Sequence, residues 1–391
     1  MTGDAPLDPM ALVGVVVAVQ ANYYWVRLTG DRAALALQAR RLGLGADEPV
    51  PLRLLCLRRG RLKKIGQQVM VGDRVVVEEP DWQGQRGAIA QVLPRSSSLD
   101  RPPVANVDRI LLVFSLAQPT LDPVQLGRFL VKAESTGVPV LLCLNKADLV
   151  DESTQEAWRS RLAGWGYRPI FTSALTDPTL ASLRSPLAGQ TSVLCGPSGV
   201  GKSSTINRLI PALDLRVAGV SGRLERGRHT TRHVELFELP DGGLLADTPG
   251  FNQPALDCGP EALAACFPEI RDRLGQGQCY YGDCLHRDEP GCAVRGDWDR
   301  YGFYLTLLDE AIAYRDRQRS TADGEATLKR KTRRDGQDTY EPRLESKRYR
   351  RISRRSRHQA LDQTVEGIDW QKLETLETLD GDTEEIGDWV D

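Results

Sequence analysis

The feature that most constrains the fold is the segment LCGPSGVGKSS, residues 194–204. Gly196, four further residues, Gly201, Lys202 and Ser203 match the complete phosphate-binding-loop pattern. An apolar run precedes the loop and an amphipathic stretch follows it, so the predicted order is strand, loop, helix. Glycines let backbone N–H groups turn towards phosphates, the lysine supplies a cation, and the helix N-terminus adds its dipole. The segment therefore predicts a phosphate site in an α/β sheet rather than a chance glycine-rich turn.

A second motif, NKAD at Asn145 to Asp148, precedes the phosphate loop in the chain and follows the apolar run VPVLLCL. The carboxylate of Asp148 can accept hydrogen bonds from both N1–H and N2–H₂ of guanine. Adenine offers no such pair of donors, so an unpaired carboxylate would penalise it. We expect Asn145 to brace the loop and the stem of Lys146 to cover the base. The tripeptide TSA, residues 172–174, follows the next apolar strand and is predicted to support the base.

A third motif, LLADTPGF, places Asp247 at a strand end and Gly250 three residues later. We expect Asp247 to hold Mg²⁺ through water and the Gly250 N–H to contact the γ-phosphate. In a Ras-like protein the next residue is the glutamine that orients the attacking water, whereas here it is Phe251. A hydrophobic side chain cannot position water by hydrogen bonding. Another group must therefore do so, or the intrinsic hydrolysis rate is low.

The segment GRLERGRHTTRHVEL lies between the phosphate-loop helix and the DTPG strand, where the first switch belongs. Thr230 and Thr231 are candidates for binding Mg²⁺ and the γ-phosphate. His229 is a candidate for positioning water, and an exposed loop histidine without a chemical role is the alternative. The predicted catalytic set is His229, Lys202 and Thr231, with Ser203 and Thr231 as magnesium ligands. The residues predicted to bind GTP are Asn145, Lys146, Asp148, Ser173, Ala174, Gly196, Ser198, Gly199, Val200, Gly201, Lys202, Ser203, Ser204, Asp247 and Gly250.

The guanine-nucleotide motifs are all present, but in a rearranged order: NKAD, TSA, phosphate loop, first switch, DTPG. A circular permutation accounts for this order, because strand neighbours in a sheet survive when old termini are joined and new ones are opened. After DTPG the chain soon enters a cysteine-rich region. We hypothesise that nucleotide state repositions that region through ordering and disordering of the switches.

Residues 10–95 contain short bursts rich in valine and aromatic residues, with Gly and Asp at the breaks. This pattern predicts about five antiparallel strands and a small barrel of the OB type. Tyr23, Tyr24 and Trp25 lie near a basic run, and aromatic groups beside cations suit a nucleic-acid surface. A solvated charged face is the alternative. The basic run comprises Arg53, Arg58, Arg59, Arg61, Lys63 and Lys64.

The cysteine-rich region contains Cys279-x4-Cys284-x-His286-x5-Cys292. Three thiolates and one imidazole complete a tetrahedral Zn²⁺ site with no open position, which predicts a structural zinc rather than a catalytic one. Unliganded loop cysteines are the alternative. Two further cysteines, Cys258 and Cys266, are interpreted as helix or loop residues.

Four regions follow from these patterns. They are an OB-like RNA-binding domain (1–98), a circularly permuted α/β GTPase domain (99–254), a mainly helical zinc-binding domain (255–322) and a charged tail (323–391). The tail is basic and then acidic and has few apolar residues, so we expect it to be disordered.

The chain as a whole is not a polycation, since its formal net charge is -2. The N-terminal MTGDAPLDPM has no basic region of the kind that opens a secretory signal. The apolar stretch 11–18 is too short to span a bilayer. A cytoplasmic protein without a membrane partner, acting as a monomer, is the expectation.

The motif order, the OB-like front and the Cys/His spacing together resemble the RsgA family, over about residues 10–320. RsgA proteins are circularly permuted GTPases that depend on the small ribosomal subunit. The resemblance implies a GTPase that uses GTP/GDP with Mg²⁺ and one structural Zn²⁺. It implies binding to the 30S subunit late in its maturation, stimulation by that subunit, and contact of the barrel and zinc domain with 16S rRNA. It also assigns the family's switch histidine to His229, its switch threonine to Thr231, and the hydrophobic replacement of the glutamine to Phe251.

Three other functions compete with this one. The chain could be a permuted GTPase of the large ribosomal subunit, which is not expected to carry both the OB-like front and the zinc cluster. It could be an RNA-binding protein that holds nucleotide with negligible turnover, which Phe251 keeps open. A P-loop kinase that uses ATP is disfavoured by Asp148.

Overall fold

The computed structural model describes residues 11–45, 48–100, 102–177, 180–213, 234–247, 256, 258–325, 328–332 and 338–342 of the chain. The chain forms two compact units, residues 1–317 and 318–391, with most contacts made within each unit. Among the described residues, no helix combines the length and the apolar character needed to cross a membrane.

The N-terminal part is a closed barrel of five strands in the order β1-β2-β3-β5-β4, as predicted. Strand β1 pairs with both β2 and β4 in antiparallel fashion, as expected, but β3 and β5 are parallel, which the prediction of antiparallel strands did not include. Inward side chains such as Val16, Val26, Leu54, Val75 and Ile89 fill the interior completely. The strands are β1 (Leu12–Gln20), β2 (Tyr23–Leu28), β3 (Arg53–Arg58), β4 (Arg74–Asp81) and β5 (Arg86–Val92).

Two helices interrupt the barrel strands, α1 (Arg32–Arg41) and α2 (Gly60–Lys64). Helix α2 contains the last part of the basic run. The run begins in β3 and ends in this short helix, where Leu62 is buried against the barrel core. A two-stranded pair, β6 (Ser98–Asp100) with β7 (Pro103–Ala105), follows the barrel.

The central part is a six-stranded sheet in the order β10-β9-β8-β11-β13-β12. Its pairs are parallel except that β12 runs antiparallel to β13. Every residue of β8 beyond the first is buried, as expected for a strand covered by helices on both faces. The strands are β8 (Arg109–Ser115), β9 (Val140–Asn145), β10 (Ile170–Phe171), β11 (Thr191–Cys195), β12 (Leu236–Glu238) and β13 (Leu244–Asp247).

Four α-helices belong to this sheet. They are α3 (Pro123–Glu134), α4 (Glu152–Gly164), α5 (Ala181–Leu187) and α6 (Lys202–Leu209). Asp122 and Asp151 cap α3 and α4 by accepting hydrogen bonds from the backbone N–H groups of Val124 and Thr154. A 3-10 turn, Ala147–Leu149, lies within the NKAD segment and its flank.

The outer face of the barrel packs against the sheet, while the barrel interior has a hydrophobic core of its own. The pairing register of β1 shifts at a bulge between Val16 and Ala18, and Val17 belongs to the hydrophobic cluster of the sheet, with Val234 and Leu236, rather than to the barrel interior. Beside this contact, Ala18 of β1 bridges Glu235 in antiparallel fashion. The barrel therefore covers the outer edge of β12.

The cysteine-rich part is mainly helical, as predicted. It contains α7 (Pro260–Leu263), a 3-10 turn (Ala264–Cys266), α8 (Pro268–Gln276) and α9 (Tyr301–Glu325). Its core is built around Leu263, Phe267, Ile270, Tyr304 and Leu308. In the tail, for which disorder was expected, the structure describes an antiparallel pair, β14 (Leu328–Thr332) with β15 (Asp338–Pro342).

Candidate nucleotide site and metal centre

The sequence motifs meet at one edge of the central sheet. Asn145 and Asp247 are the last residues of β9 and β13, and the phosphate loop follows Cys195 at the end of β11. The TSA segment follows β10 directly. Because these strands are parallel, their carboxyl ends lie side by side, which is where open α/β sheets bind ligands.

Two glycines of the phosphate loop are required by their neighbours. Gly196 has a φ of 145°, and a Cβ there would lie 2.0 Å from the backbone oxygen of Val113. Gly201 has a φ of 97°, and a Cβ there would lie 2.3 Å from Nδ2 of Asn145. The loop can therefore pass close to β8 and to the NKAD segment only with glycine at these positions.

Lys202 begins α6, and its side chain turns back over the phosphate loop. Nζ donates hydrogen bonds to the carbonyl oxygens of Gly196 at 2.9 Å and Pro197 at 2.6 Å. Burial lowers the pKa of Lys202, and the nearby carboxylate of Asp247 acts in the opposite direction. The ammonium group of Lys202 is therefore partly withdrawn from water beside the phosphate loop. Its electrostatic attraction for a phosphate is stronger there than it would be in bulk water.

Asn145 is buried and joins three segments. Its Nδ2 donates to the carbonyl oxygen of Val200 in the phosphate loop at 2.9 Å. Its Oδ1 accepts from the backbone N–H of Ala174 at 3.2 Å and from Oγ1 of Thr172 at 3.4 Å. The bracing geometry expected of this residue is present, and it links the NKAD, TSA and phosphate-loop segments.

Lys146 has a left-handed backbone, with a φ of 58°, and extends across to the phosphate loop. Its Nζ donates to the carbonyl oxygen of Gly199 at 2.9 Å and also to that of Gln118. Gln118 was not among the predicted residues, since it belongs to no motif. The side chain of Asp148 is exposed to solvent beside Lys146.

A cavity of about 550 Å³ opens at this edge, a volume in the range of ligand pockets. Seven of the predicted nucleotide residues line it, together with five residues that the motifs did not indicate. The predicted ones are Asn145, Lys146, Asp148, Ser173, Ala174, Gly201 and Ser204. The others are Gln118, Leu149, Leu175, Asn207 and Arg208. Of the five, Asn207 and Arg208 lie on the helix that begins at Lys202. Their place on this helix was the sequence feature from which they could have been predicted.

The remaining predicted residues fall into two groups. Gly196, Ser198, Gly199, Val200, Lys202 and Ser203 form the loop and the first turn of α6 beside the cavity, and Asp247 ends the adjoining strand. His229, Thr230, Thr231, Gly250 and Phe251 lie outside the described residues.

The four predicted metal ligands come together. Their ligand atoms, from Cys279, Cys284, His286 and Cys292, all lie within 4.8 Å of one another. Nδ1 of His286 is 3.5 Å from each of the three sulfur atoms, and the Sγ atoms of Cys279 and Cys292 are 4.0 Å apart. These separations suit a tetrahedral ion with three thiolates and one imidazole, which is a zinc ligand set without an open position.

Neighbouring groups hold this ligand set in place. The hydroxyl groups of Tyr301 and Tyr304 donate to the backbone oxygens of His286 at 3.0 Å and Leu285 at 2.8 Å. The carboxylate of Glu289 accepts from the backbone N–H of Leu285 at 2.9 Å. Burial lowers the pKa of His286, which favours the neutral imidazole that a metal requires.

The comparison with known proteins decides the family. A protein of Trichormus variabilis named small ribosomal subunit biogenesis GTPase RsgA is 59% identical to this chain over 354 residues, which cover 90% of this chain and 96% of the relative. Residues 92–257 match the family model described as RsgA GTPase. The chain belongs to the RsgA GTPase family. A relative of the same name from a Synechocystis species is 49% identical and covers 92% of this chain and 97% of its own.

Two solved structures share the fold of this RsgA family member. YjeQ from Thermotoga maritima is 32% identical with a TM-score of 0.62, covering 77% of this chain and 98% of its own. YloQ, described as a circularly permuted GTPase, is 29% identical with a TM-score of 0.61, covering 81% and 99%. The family suggested by the motif order is confirmed, and the barrel, the GTPase sheet and the helical C-terminal part belong to its architecture.

Proposed function

We propose that this chain hydrolyses GTP in the biogenesis of the small ribosomal subunit. In this proposal it acts late in maturation, the subunit stimulates hydrolysis, and nucleotide state controls binding and release. The observation that carries the proposal is the cavity at the sheet edge, where the NKAD, TSA and phosphate-loop segments converge in a member of the RsgA GTPase family.

We assign the guanine base to the part of the cavity beside Asp148, Lys146 and Ala174. The phosphates are assigned to the loop from Gly196 to Ser204, whose backbone N–H groups and helix N-terminus attract anions. Asp148 supplies the acceptors for the guanine edge. Adenine would leave this carboxylate unpaired, so the arrangement favours GTP over ATP.

In the proposed mechanism, Lys202 stabilises the charge that develops on the β- and γ-phosphate oxygens. Ser203, Asp247 and Thr231 would hold Mg²⁺, which when bound would supply positive charge to the β- and γ-phosphates. His229 positions the attacking water in place of the glutamine that Phe251 replaces. We propose that contact with the subunit brings His229, in the first switch, into position.

The barrel offers the surface proposed to contact 16S rRNA. Arg61, Lys63 and Lys64 of α2 are exposed. Leu57 lies shortly before α2 in the chain and is paired with Tyr23 across β3 and β2, and each of the two is 49% exposed. Cations beside exposed flat and apolar groups suit the backbone and the bases of single-stranded RNA.

The other three cations of the basic run are engaged within the protein: Arg58 donates to the backbone oxygen of Gln67 at 2.6 Å, and the remaining two pair with carboxylates. Arg53 forms an ion pair with Glu238 at 2.9 Å, and Arg59 pairs with Glu78 and Glu79 at 2.9 and 2.8 Å. The proposed RNA surface is therefore centred on α2 rather than spread along the whole run.

The zinc ligands are proposed to give the C-terminal loop a fixed shape for a second contact with the subunit. The bound Zn²⁺ would be structural, since all four ligands come from the protein. We further propose that the protein acts in the cytoplasm, as a monomer and without a membrane partner.

The test is to measure GTP hydrolysis by the purified protein alone, with 30S subunits and with 50S subunits. We expect a low basal rate that only 30S subunits raise strongly, with Lys202→Ala as the inactive control. Stimulation by 50S subunits alone would identify a large-subunit factor. Tight GTP binding without stimulation by either subunit would instead indicate a nucleotide-gated RNA-binding protein and would remove the role given to His229.

A further inference from the structure

Arg208 lies in the last turn of α6, the helix that begins with Lys202 of the phosphate loop. Its Nε donates a hydrogen bond of 2.8 Å to the carbonyl oxygen of Ala174 in the TSA segment. The side chain is part-buried and lines the nucleotide cavity. None of the nucleotide-binding motifs includes this position.

This hydrogen bond closes a ring of contacts around the cavity. The backbone N–H of Ala174 donates to Oδ1 of Asn145 at 3.2 Å, and Nδ2 of Asn145 donates to the carbonyl oxygen of Val200 at 2.9 Å. Val200 belongs to the loop that runs into α6, so the covalent chain from Val200 to Arg208 completes the ring. Both backbone polar groups of Ala174 are thereby engaged, one by the NKAD segment and one by the phosphate-loop helix.

The ring fixes the distance between the part of the cavity assigned to the base and the part assigned to the phosphates. The TSA segment and Asp148 border the part of the cavity assigned to the base, and the start of α6 borders the part assigned to the phosphates. Asn145 links these parts at one end of the loop–helix unit, and Arg208 links them at the other. A guanidinium donor gives a charge-assisted hydrogen bond, which is stronger than a neutral one and holds the carbonyl in a defined direction.

We propose that Arg208 is a positioning residue for guanine specificity. It holds the Ala174 segment at a set distance from the phosphate loop, so that a nucleotide seated by its phosphates presents its base to Asp148 and the TSA segment without rearrangement of the protein. This inference rests on the nucleotide site proposed above. The hydrogen bond of Arg208 goes to the base segment and not to the loop assigned to the phosphates, so we expect its effect on binding and selectivity rather than on the chemical step.

The test compares Arg208→Met and Arg208→Lys with the wild type. Methionine keeps much of the side-chain volume and removes every donor, whereas lysine keeps a cation and a donor of different reach. Arg184→Met is the matched control, since Arg184 also joins two elements, through Asp241 at 2.9 Å, but does not line the nucleotide cavity. The measurements are the dissociation constants of GDP and ADP, kcat and KM for GTP, and the thermal unfolding midpoint.

We expect Arg208→Met to raise the dissociation constant of GDP by about tenfold, the effect of losing one hydrogen bond to a charged group. ADP binding should change little, because the base segment favours guanine and adenine gains little from its position. The preference for GDP over ADP should therefore fall by about tenfold, with kcat unchanged and KM raised. Arg208→Lys should recover part of the preference, and Arg184→Met should retain all of it.

An unchanged GDP-to-ADP preference in Arg208→Met would overturn the inference. Equal weakening of both nucleotides, together with a lower kcat and a lower unfolding midpoint, would show that Arg208 only stabilises the domain and would overturn it as well. A wild-type protein without a preference for guanine would instead contradict the proposed nucleotide site itself.

Discussion

At the scale of single residues, buried polar groups connect segments that are far apart in the chain. The amide of Asn145 reaches two other loops, and the guanidinium of Arg300 joins the C-terminal helices to the GTPase domain. Such groups are stable only when their partners are present, because an unpaired polar group in the interior loses its hydration without compensation. Substituting such groups is therefore the most direct test of the nucleotide site and of the packing between the C-terminal helices and the GTPase domain.

Replacing Asp148 by asparagine tests the base assignment. Asparagine offers one acceptor and one donor where guanine presents two donors, so we expect GDP to bind about 10- to 100-fold more weakly, the range for hydrogen bonds to a charged group. Xanthosine diphosphate, which carries an acceptor at C2, should bind the variant better than the wild type. Competition with a fluorescent nucleotide measures both constants, and unchanged GDP binding would contradict the assignment.

Arg300 and Glu269 form a buried ion pair, with exposed side-chain fractions of 3% and 7%. Nε of Arg300 donates to the carboxylate of Glu269 at 2.7 Å, and its guanidinium lies 4.7 Å from the ring centre of Trp165 and 4.8 Å from that of Phe267. Arg300→Met leaves a buried carboxylate without a partner and should lower the free energy of unfolding by about 3–5 kcal/mol.

The double variant Arg300→Met/Glu269→Leu is the control for this prediction. It removes both charges, and we expect it to recover most of the lost stability, since well-packed apolar residues replace buried ion pairs with little cost. Urea unfolding measures the difference. A double variant as unstable as the single one would show that packing of the guanidinium on the aromatic rings, rather than the unpaired carboxylate, sets the loss.

At the scale of elements, β12 is the edge strand of the GTPase sheet that lies next to the barrel. It follows the first switch segment and pairs with β13, and Glu235, the residue directly before it, bridges Ala18 of β1 in the barrel. Glu238 at its end accepts hydrogen bonds from Arg53 of β3 at 2.9 and 3.2 Å. The unpaired backbone groups of an edge strand are normally shielded from pairing with other chains, and here the barrel covers them.

The exposed cations of α2 give a prediction for RNA binding. We expect Arg61→Gln/Lys63→Gln/Lys64→Gln to weaken binding of single-stranded rRNA fragments and to lower the slope of log affinity against log salt by about 2, since each phosphate contact contributes roughly 0.7. Arg168→Gln removes an exposed cation of the GTPase domain and serves as the control. An unchanged slope in the triple variant would place the RNA contact elsewhere.

The cysteine and histidine cluster gives a prediction for the mainly helical region that carries it (residues 258–317, the zinc segment). Cys292→Ser should reduce bound zinc well below one equivalent and lower the thermal unfolding midpoint, because the ion's binding energy contributes to folding of the loop it organises. Cys258→Ser lies outside the ligand set and should keep its zinc. Elemental analysis with thermal melts measures both effects, and full zinc content in Cys292→Ser would contradict the ligand assignment.

At the scale of the whole molecule, ion pairs tie the helices of the zinc segment to α3 and α4. Arg161 of α4 pairs with Asp299 at 2.7 Å, and Arg271 of α8 pairs with Glu134 of α3 at 2.9 Å. A further pair joins α3 to α9 through Arg128 and Glu310 at 2.5 Å. Together with the buried Arg300, these contacts hold the zinc segment to the helices that flank the NKAD strand. Movement of this segment with nucleotide state, which the order of motifs suggested, would have to break them.

These pairs give a pH dependence with a defined sign. Hydrogen bonds from Arg161 lower the pKa of Asp299 below 3.8, and those from Arg128 lower the pKa of Glu310 below 4.5. Their contribution to stability is present above those ordinary values and is lost as the pH falls through the lower folded values. Because both carboxylates are partly exposed, we expect Asp299→Asn/Glu310→Gln to cost at most about 1–2 kcal/mol at pH 7.

The measurement is the free energy of unfolding of this variant and the wild type between pH 7 and pH 3. The difference between the two proteins should be constant down to about pH 5 and should shrink below it, because the wild-type carboxylates become neutral as well. A difference that stays constant to pH 3 would show that the two carboxylates act through packing rather than through charge.

Local sequence patterns were sufficient to predict the phosphate loop, the NKAD motif and the set of metal ligands. Each is a set of residue types within about fourteen positions, and the required backbone follows from glycine placement and from the strand or helix on either side. The permuted GTPase sheet and the barrel could also be predicted, because apolar runs and alternating bursts mark buried and half-buried strands.

The sequence alone therefore predicted which groups bind phosphate, guanine and metal, and it identified the family in which that order of motifs occurs. Only the tertiary structure decided which residues hold those groups in place. Arg208 meets Ala174 across 34 positions, Arg53 meets Glu238 across 185, and Arg128 meets Glu310 across 182. No local pattern specifies such pairs, because each depends on how separate helices and strands pack once the hydrophobic core has formed.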